Sequence, residues 1–289
     1  MSRVTKEQIK LDFQKLGIQP GDTILIRATL SEVGRLASGA DMFIDALLES
    51  VGIEGTIVSL AFTSGSAGFK TPRKEDAFNL STKSYAGSLP NSMISREDSH
   101  RSAHPMCSFV GIGKNAKAIT ENHNALSPAY EPVRKIIELN GKCILVGCVK
   151  NSPGFTTTHL AEADLGYLNR LPVFPWLRSV YYEAPDGGLK LFRRKDPGMC
   201  SNSFYKFYAL YVKEGILSTG FIGKAYSILA PAKECYEIDR YTLKKNQKFN
   251  ICDSPVCWTC NVGRWDRIHR APIYYAKKFV TSIFSKIAR

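Results

Sequence analysis

The chain has 289 residues, 44% of them hydrophobic and 22% charged, which is enough for a large buried core and excludes a fibrous or disordered polymer. Its 39 lysines and arginines against 26 acidic residues leave a formal charge of +13, which favours anionic substrates, nucleic acid or an anionic membrane surface over polycations as partners. No apolar run approaches the roughly 18 residues of a membrane span, and the opening Met1-Ser-Arg-Val-Thr-Lys carries charge where a signal peptide needs an apolar stretch, so a cytoplasmic protein is expected.

Residues 5–17 place Ile9, Phe13 and Leu16 on one helical face, with Thr5 as cap and Gly17 as stop. Pro20-Gly21-Asp22 then turns into a buried strand at 23–26, followed by a helix over 40–51 and a strand over 55–60. Alternating strand and helix predict an α/β fold. Residues 62–90, rich in Ser, Gly, Lys and Pro, read as a long functional loop. Helices are predicted over 111–122 and 132–140, a buried strand over 142–146, a helix from about Thr156 to Leu168, and an aromatic hairpin over 176–196. Thiols at Cys107, Cys143, Cys148, Cys200 and Cys235, two of them flanking the strand at 142–146, fit reduced cysteines acting as small hydrophobes.

Two segments carry the chemistry. One is Arg101-Ser102-Ala-His104-Pro105-Met-Cys-Ser108-Phe109, and some fifty residues later comes Thr156-Thr-Thr-His159-Leu-Ala-Glu162. Histidine is the side chain that acts as a base near neutral pH, and a carboxylate three positions on shares its helical face and can orient the imidazole. The bland alternatives are a surface His/Glu pair, three threonines that only cap a helix, and a His-Pro turn. Placement just after a buried strand and a Gly/Pro turn favours the catalytic reading.

Together these segments resemble the aminoglycoside 3-N-acetyltransferase family, whose members carry R-S-x-H-P-x-x-S-F and a G-x-L-L-x-G strand leading into T-x-x-H-x-x-E. The resemblance covers residues 5–170 well, weakens to about 235 and then stops. It implies a single elaborated α/β domain with a central mixed sheet flanked by helices, and coenzyme A-dependent acyl transfer, with acetyl-coenzyme A as co-substrate. His159 becomes the base, Glu162 its support, and Thr156 the position near the thioester. Arg101, Ser102, His104 and Ser108 become contacts of the acyl carrier. The family's V-H-S-S-L run, which helps hold pantetheine and phosphates, reads Ile26-Arg27-Ala28-Thr29-Leu30 here. Arg27, Ala28 and Thr29 are thus cofactor candidates, with Arg27 and Ala28 standing where the family has His and Ser. The family's S-P-x-G-x-x-S-P loop is likewise altered across residues 129–131.

Residues 1–235 are expected to form the catalytic domain and 236–289 a basic extension. Cys257 and Cys260 have the C-x2-C spacing of a zinc site, with Cys252 and His269 an irregular second pair; reduced thiols packed by Trp258 and Trp265 are the preferred reading, and no metal is expected. Residues 271–289 set apolar positions at helical spacing against lysines. They could dock on the protein's own core or in a homodimer, or lie on the anionic inner face of a membrane. Because +13 repels polycations, the favoured substrate is an anionic amino sugar, nucleotide- or lipid-linked, in surface-polysaccharide assembly. The alternatives are aminoglycoside acetylation as a resistance function, and a non-catalytic basic binding protein. No nucleic-acid motif is present, so no nucleic-acid partner is expected.

Overall fold

A computed structural model describes residues 3–65, 71–167 and 178–287, with side chains to residue 279. Leu168, residues 66–70 of the expected loop, the start of the expected hairpin at 176–177 and the chain end at 288–289 lie outside the described residues. The first half runs α1 (Lys6–Leu16), β1 (Thr23–Ala28), α2 (Leu30–Val33), α3 (Gly39–Val51), β2 (Thr56–Leu60), α4 (Ser88–Ile94), β3 (Ser99–Arg101), β4 (Phe109–Gly113), α5 (Ala116–Thr120), α6 (Glu131–Glu138) and β5 (Lys142–Val146). The second runs α7 (Thr157–Asp164), β6 (Ser179–Glu183), β7 (Leu189–Arg193), α8 (Tyr208–Lys213), β8 (Ser218–Ile222), β9 (Ala225–Pro231), α9 (Ala232–Lys245) and α10 (Ala271–Ile287).

Helix α1 forms as its sequence dictates. Thr5 Oγ1 accepts from Gln8 N, Gly17 closes the helix at φ 111°, and Ile9, Phe13 and Leu16 are buried. The sheet has seven strands in the order β3-β4-β2-β1-β5-β9-β8. Strand β1 pairs in parallel with β2 and β5, while β4 and β9 run antiparallel outside them, so the sheet is mixed as expected. The middles of the central strands are apolar because both faces are covered, and successive side chains go to opposite cores. Ile24, Ile26, Ile57 and Ile144 join the core under α1 and α3, where Phe13 and Phe43 meet edge to face at 5.4 Å. Leu25, Val58, Cys143 and Leu145 join the opposite core with residues of α6, α7 and α9.

Several expectations change. Residues 111–122 are not one helix: the chain is strand to Gly113, and only Ala116–Thr120 is helical. Two glycines and two β-branched residues make 109–113 a poor helix, and its backbone pairs fully with β2 instead. Loop 62–90 already enters α4 at Ser88. The boundary expected at 235/236 falls inside α9, whose Asp239 and Leu243 are buried. Helix α10 does form, but Ile273, Tyr275 and Phe279 are exposed, so these positions do not dock on the protein's own core.

Candidate active site

The carboxyl ends of the three parallel strands open on one cavity of about 420 Å³, the place where α/β sheets bind ligands. Ala28 and Thr29 line it from the end of β1, Leu60 and Phe62 from β2, and Cys148 and Ser152 from the turn after β5. That turn begins at Gly147, which has φ 68° and where a Cβ would stand 2.6 Å from that of Glu32. The chain then feeds into α7, whose first residues put Thr156 and His159 on the cavity wall.

His159 Nδ1 lies 2.8 Å from Glu162 Oε2, with the imidazole 19% exposed and the carboxylate fully buried. With Nδ1 donating to this carboxylate, Nε2 is the ring nitrogen left to accept a proton. Glu162 is held in turn by Met199 N at 3.2 Å and by Asn250 Nδ2. The imidazole stacks on Tyr130 at 5.1 Å and meets the edge of Phe204 at 4.8 Å. Gly198 closes this packing: a Cβ there would lie 2.6 Å from Tyr130 Oη and 2.7 Å from His159 Nδ1. The ring therefore has little freedom to turn. Of the three threonines, Thr157 and Thr158 donate to buried Asp239 at 2.9 Å each, and Tyr211 donates to its other oxygen. These two hydroxyls fasten α7 to α9, which leaves Thr156 as the threonine on the cavity.

Thus the structure brings His159, Glu162, Thr156, Arg27, Ala28 and Thr29 together at one place. Arg27 spends its guanidinium on the carbonyls of Ser152 and Gly154, at 2.6 and 2.8 Å, and so braces the turn after β5. The other four candidates are not on the cavity. Arg101 donates to the carbonyls of Leu80, Thr82 and Ala61 and stands over the Phe78 ring. Ser108 Oγ donates to Ala61 O at 2.7 Å, and Ser102 Oγ accepts from Phe109 N and contacts His123. His104 is wholly buried, its Nδ1 accepting from Met106 N and Cys107 N, and burial drives its pKa down to about 3. The segment folds back as β3 and β4, and the backbone takes up most of its polar groups, while His104 Nε2 is buried with no hydrogen-bond partner among the described residues. It frames the loop that carries Phe62.

Sequence reasoning missed Tyr130, Gly198, Met199 and Asn250, since nothing in their local pattern marks them as neighbours of residue 159. It also missed that Cys200 joins the later cysteines. Cys200, Cys252, Cys257 and Cys260 converge with all four Sγ atoms within 4.8 Å of one another, and His269 is not among them.

The family model of the aminoglycoside 3-N-acetyltransferases matches residues 25–244. Aminoglycoside N(3)-acetyltransferase III of Serratia marcescens is 31% identical over 249 residues, which are 80% of this chain and 88% of that enzyme. Aminoglycoside N(3)-acetyltransferase VII of Streptomyces paromomycinus is 28% identical over 239 residues, 76% of this chain and 80% of its own. Among solved structures, AAC-IIIb in binary complex with CoASH is 26% identical with a TM-score of 0.68, covering 84% of this chain and 97% of that one. The AAC(3)-IVa apoenzyme, at 22% identity and a TM-score of 0.73, covers 90% of this chain and 96% of its own and shares the fold.

Proposed function

The chain belongs to the aminoglycoside 3-N-acetyltransferase family, whose reaction moves an acetyl group from acetyl-coenzyme A to an amine, and from that premise we propose that His159 is the general base for this transfer. The amine nitrogen attacks the thioester carbonyl carbon while Nε2 takes its proton, and the carbonyl electrons move onto oxygen. They return as the C–S bond breaks, and the departing thiolate takes up the proton from the imidazolium. Glu162 stabilises the imidazolium and fixes the ring. Thr156, next to the base on the cavity, is the hydroxyl placed to donate to the oxyanion. Ala28 and Thr29 form the wall along which the acyl carrier lies. The observation that carries this reading is the His159–Glu162 pair, 2.8 Å apart at the carboxyl ends of the parallel strands. Release of coenzyme A thiol from acetyl-coenzyme A, dependent on an amine and lost in His159→Ala, tests it.

For the acceptor we take the amine of an amino sugar of the aminoglycoside class, as the relatives' names support. One observation favours a second acceptor. A neighbouring groove of about 760 Å³, which shares Tyr130 with the cavity, presents Glu131, Asp164 and Asp196 beside Arg134, Arg193 and Lys195. Arg134 already pairs with Asp164 at 2.6 Å and Glu131 at 3.4 Å, and Asp196 accepts from Ala129 N. Two of its three carboxylates are thus already paired with Arg134, and the molecule carries +13. An anionic amino sugar linked to a nucleotide or lipid diphosphate is the acceptor that this electrostatic balance favours. Turnover measured against both classes separates them. The exposed apolar residues of α10, interleaved with Lys277 and Lys278, suit the surface of an anionic membrane.

A further inference from the structure

We propose that Cys200, Cys252, Cys257 and Cys260 bind one zinc ion as four thiolates and that this ion fastens the C-terminal segment to the catalytic body. The donors come from two distant stretches of chain, Cys200 just before a 3-10 turn at Ser201–Phe207 and the others in a C-x4-C-x2-C run. Their Sγ atoms lie within 4.8 Å of one another. Zinc bonds to sulfur at about 2.3 Å, so a tetrahedral site sets its sulfurs about 3.8 Å apart, a contraction of at most about 1 Å from this arrangement. The cluster is four-way rather than paired, and all four cysteines are free. Cys252 N already points to Cys260 Sγ at 3.4 Å, a donor suited to a metal-bound thiolate. Zinc binding releases the four thiol protons and leaves the site with a net charge of −2. Arg267 sits alongside, donating to Cys260 O at 2.9 Å. Four protein sulfurs complete the coordination shell, which makes the ion structural rather than catalytic.

The segment after α9 has a small core of its own. Among its described residues, the buried apolar side chains are Cys252, Cys260 and Val262, and two of those three are ligands. Beyond these, Phe249 packs on Phe207 and Trp265 stacks on Tyr167, and to so small a core a structural zinc adds folding free energy directly. The tie also reaches the site. Both groups that grip the Glu162 carboxylate are next to ligands, Met199 beside Cys200 and Asn250 two positions before Cys252. Ser201, on the other side of Cys200, lines the cavity. The ion therefore fixes the backbone that positions the base, a consequence that rests on the proposed role of His159 and Glu162.

Elemental analysis of the purified full-length chain should find one zinc per molecule, released when an organomercurial blocks its thiols. Cobalt(II) put in its place should give the thiolate charge-transfer and tetrahedral d–d absorption of a four-sulfur site. Cys200→Ser should lose the metal, whereas Cys143→Ala, whose thiol lies in the sheet, should keep it. If either variant fails to fold, the zinc content and cobalt spectrum of the unaltered chain decide alone. Substoichiometric zinc with no cobalt spectrum, an intact mass showing a disulfide among these cysteines, or iron in place of zinc would each overturn the proposal. Metal content is read without any acetyl transfer, so a zinc-loaded but inactive chain would sink the functional reading and spare the metal site. In an active chain, zinc removal should lower kcat at least about tenfold, as for loss of an orienting outer-shell contact, with the acetyl-coenzyme A KM nearly unchanged. An unchanged kcat would overturn the link to Glu162.

Discussion

At His159 the whole reading depends on one imidazole whose Nδ1 is committed to Glu162 and whose ring is clamped between Tyr130 and Phe204. His159→Ala should cost at least about a hundredfold in kcat, the contribution of a positioned general base, with the far-ultraviolet spectrum unchanged. Near-normal turnover would place the base elsewhere. Glu162→Gln should cost less but shift the pH–rate profile, because the imidazolium formed in the reaction loses its counter-charge. Identical rate and profile would make Glu162 a bystander. Arg27→Ala is expected to weaken turnover of acetyl-coenzyme A and of a pantetheine thioester alike, since the guanidinium braces the turn through the Ser152 and Gly154 carbonyls. A loss confined to the nucleotide-bearing donor would instead assign Arg27 to phosphate. The spacing from His159 to Glu162 was legible in the sequence because three positions on a helix are geometric neighbours. The equally close neighbours Gly198 and Asn250 were not, since loop paths carry no such rule.

The element that sets the base in place is α7, and its hold on α9 is a buried carboxylate. Burial pushes the pKa of Asp239 up from 3.8 to about 7, against the pull of its three hydroxyl donors. A folded-state pKa above the unfolded one means the native chain holds that proton more tightly, so this contribution to stability is complete below about pH 4 and fades as pH rises to about 7. Asp239→Asn keeps the shape and removes the titration. Between pH 5 and 8 the Tm of the unaltered protein should fall at least about 3 °C further than that of the variant, the shift that roughly 1 kcal/mol produces in a chain of this size. Parallel curves would mean that Asp239 stays ionised throughout. Helix α1 was fully readable because its cap, stop and apolar face are local. Residues 111–122 were misread because sheet pairing overrode a weak local preference.

The proposed contact of α10 with an anionic surface belongs to the whole molecule, since it draws on the net charge of +13. Full-length protein should sediment with phosphatidylglycerol vesicles, more weakly as salt rises, and removal of residues 271–289 should abolish this while leaving turnover of a soluble acceptor intact. Aggregation of the shortened chain would assign α10 to an interface between copies instead. The described helices include none long and apolar enough to cross a membrane. What the sequence determined by itself was whatever depends on neighbours along the chain: the alternation of strand and helix, the apolar central strands, and the pairing of His159 with Glu162. It also held the family, because T-x-x-H-x-x-E and R-S-x-H-P are contiguous strings. Only the tertiary structure decided which of those letters face the cavity. Folding back as β3 and β4 spends Arg101, Ser102, His104 and Ser108 on backbone partners. Only the tertiary structure, too, could bring Cys200 to Cys252, Cys257 and Cys260 across about fifty residues, because contacts at that separation are set by how helices and loops pack on the sheet and leave no period in the sequence.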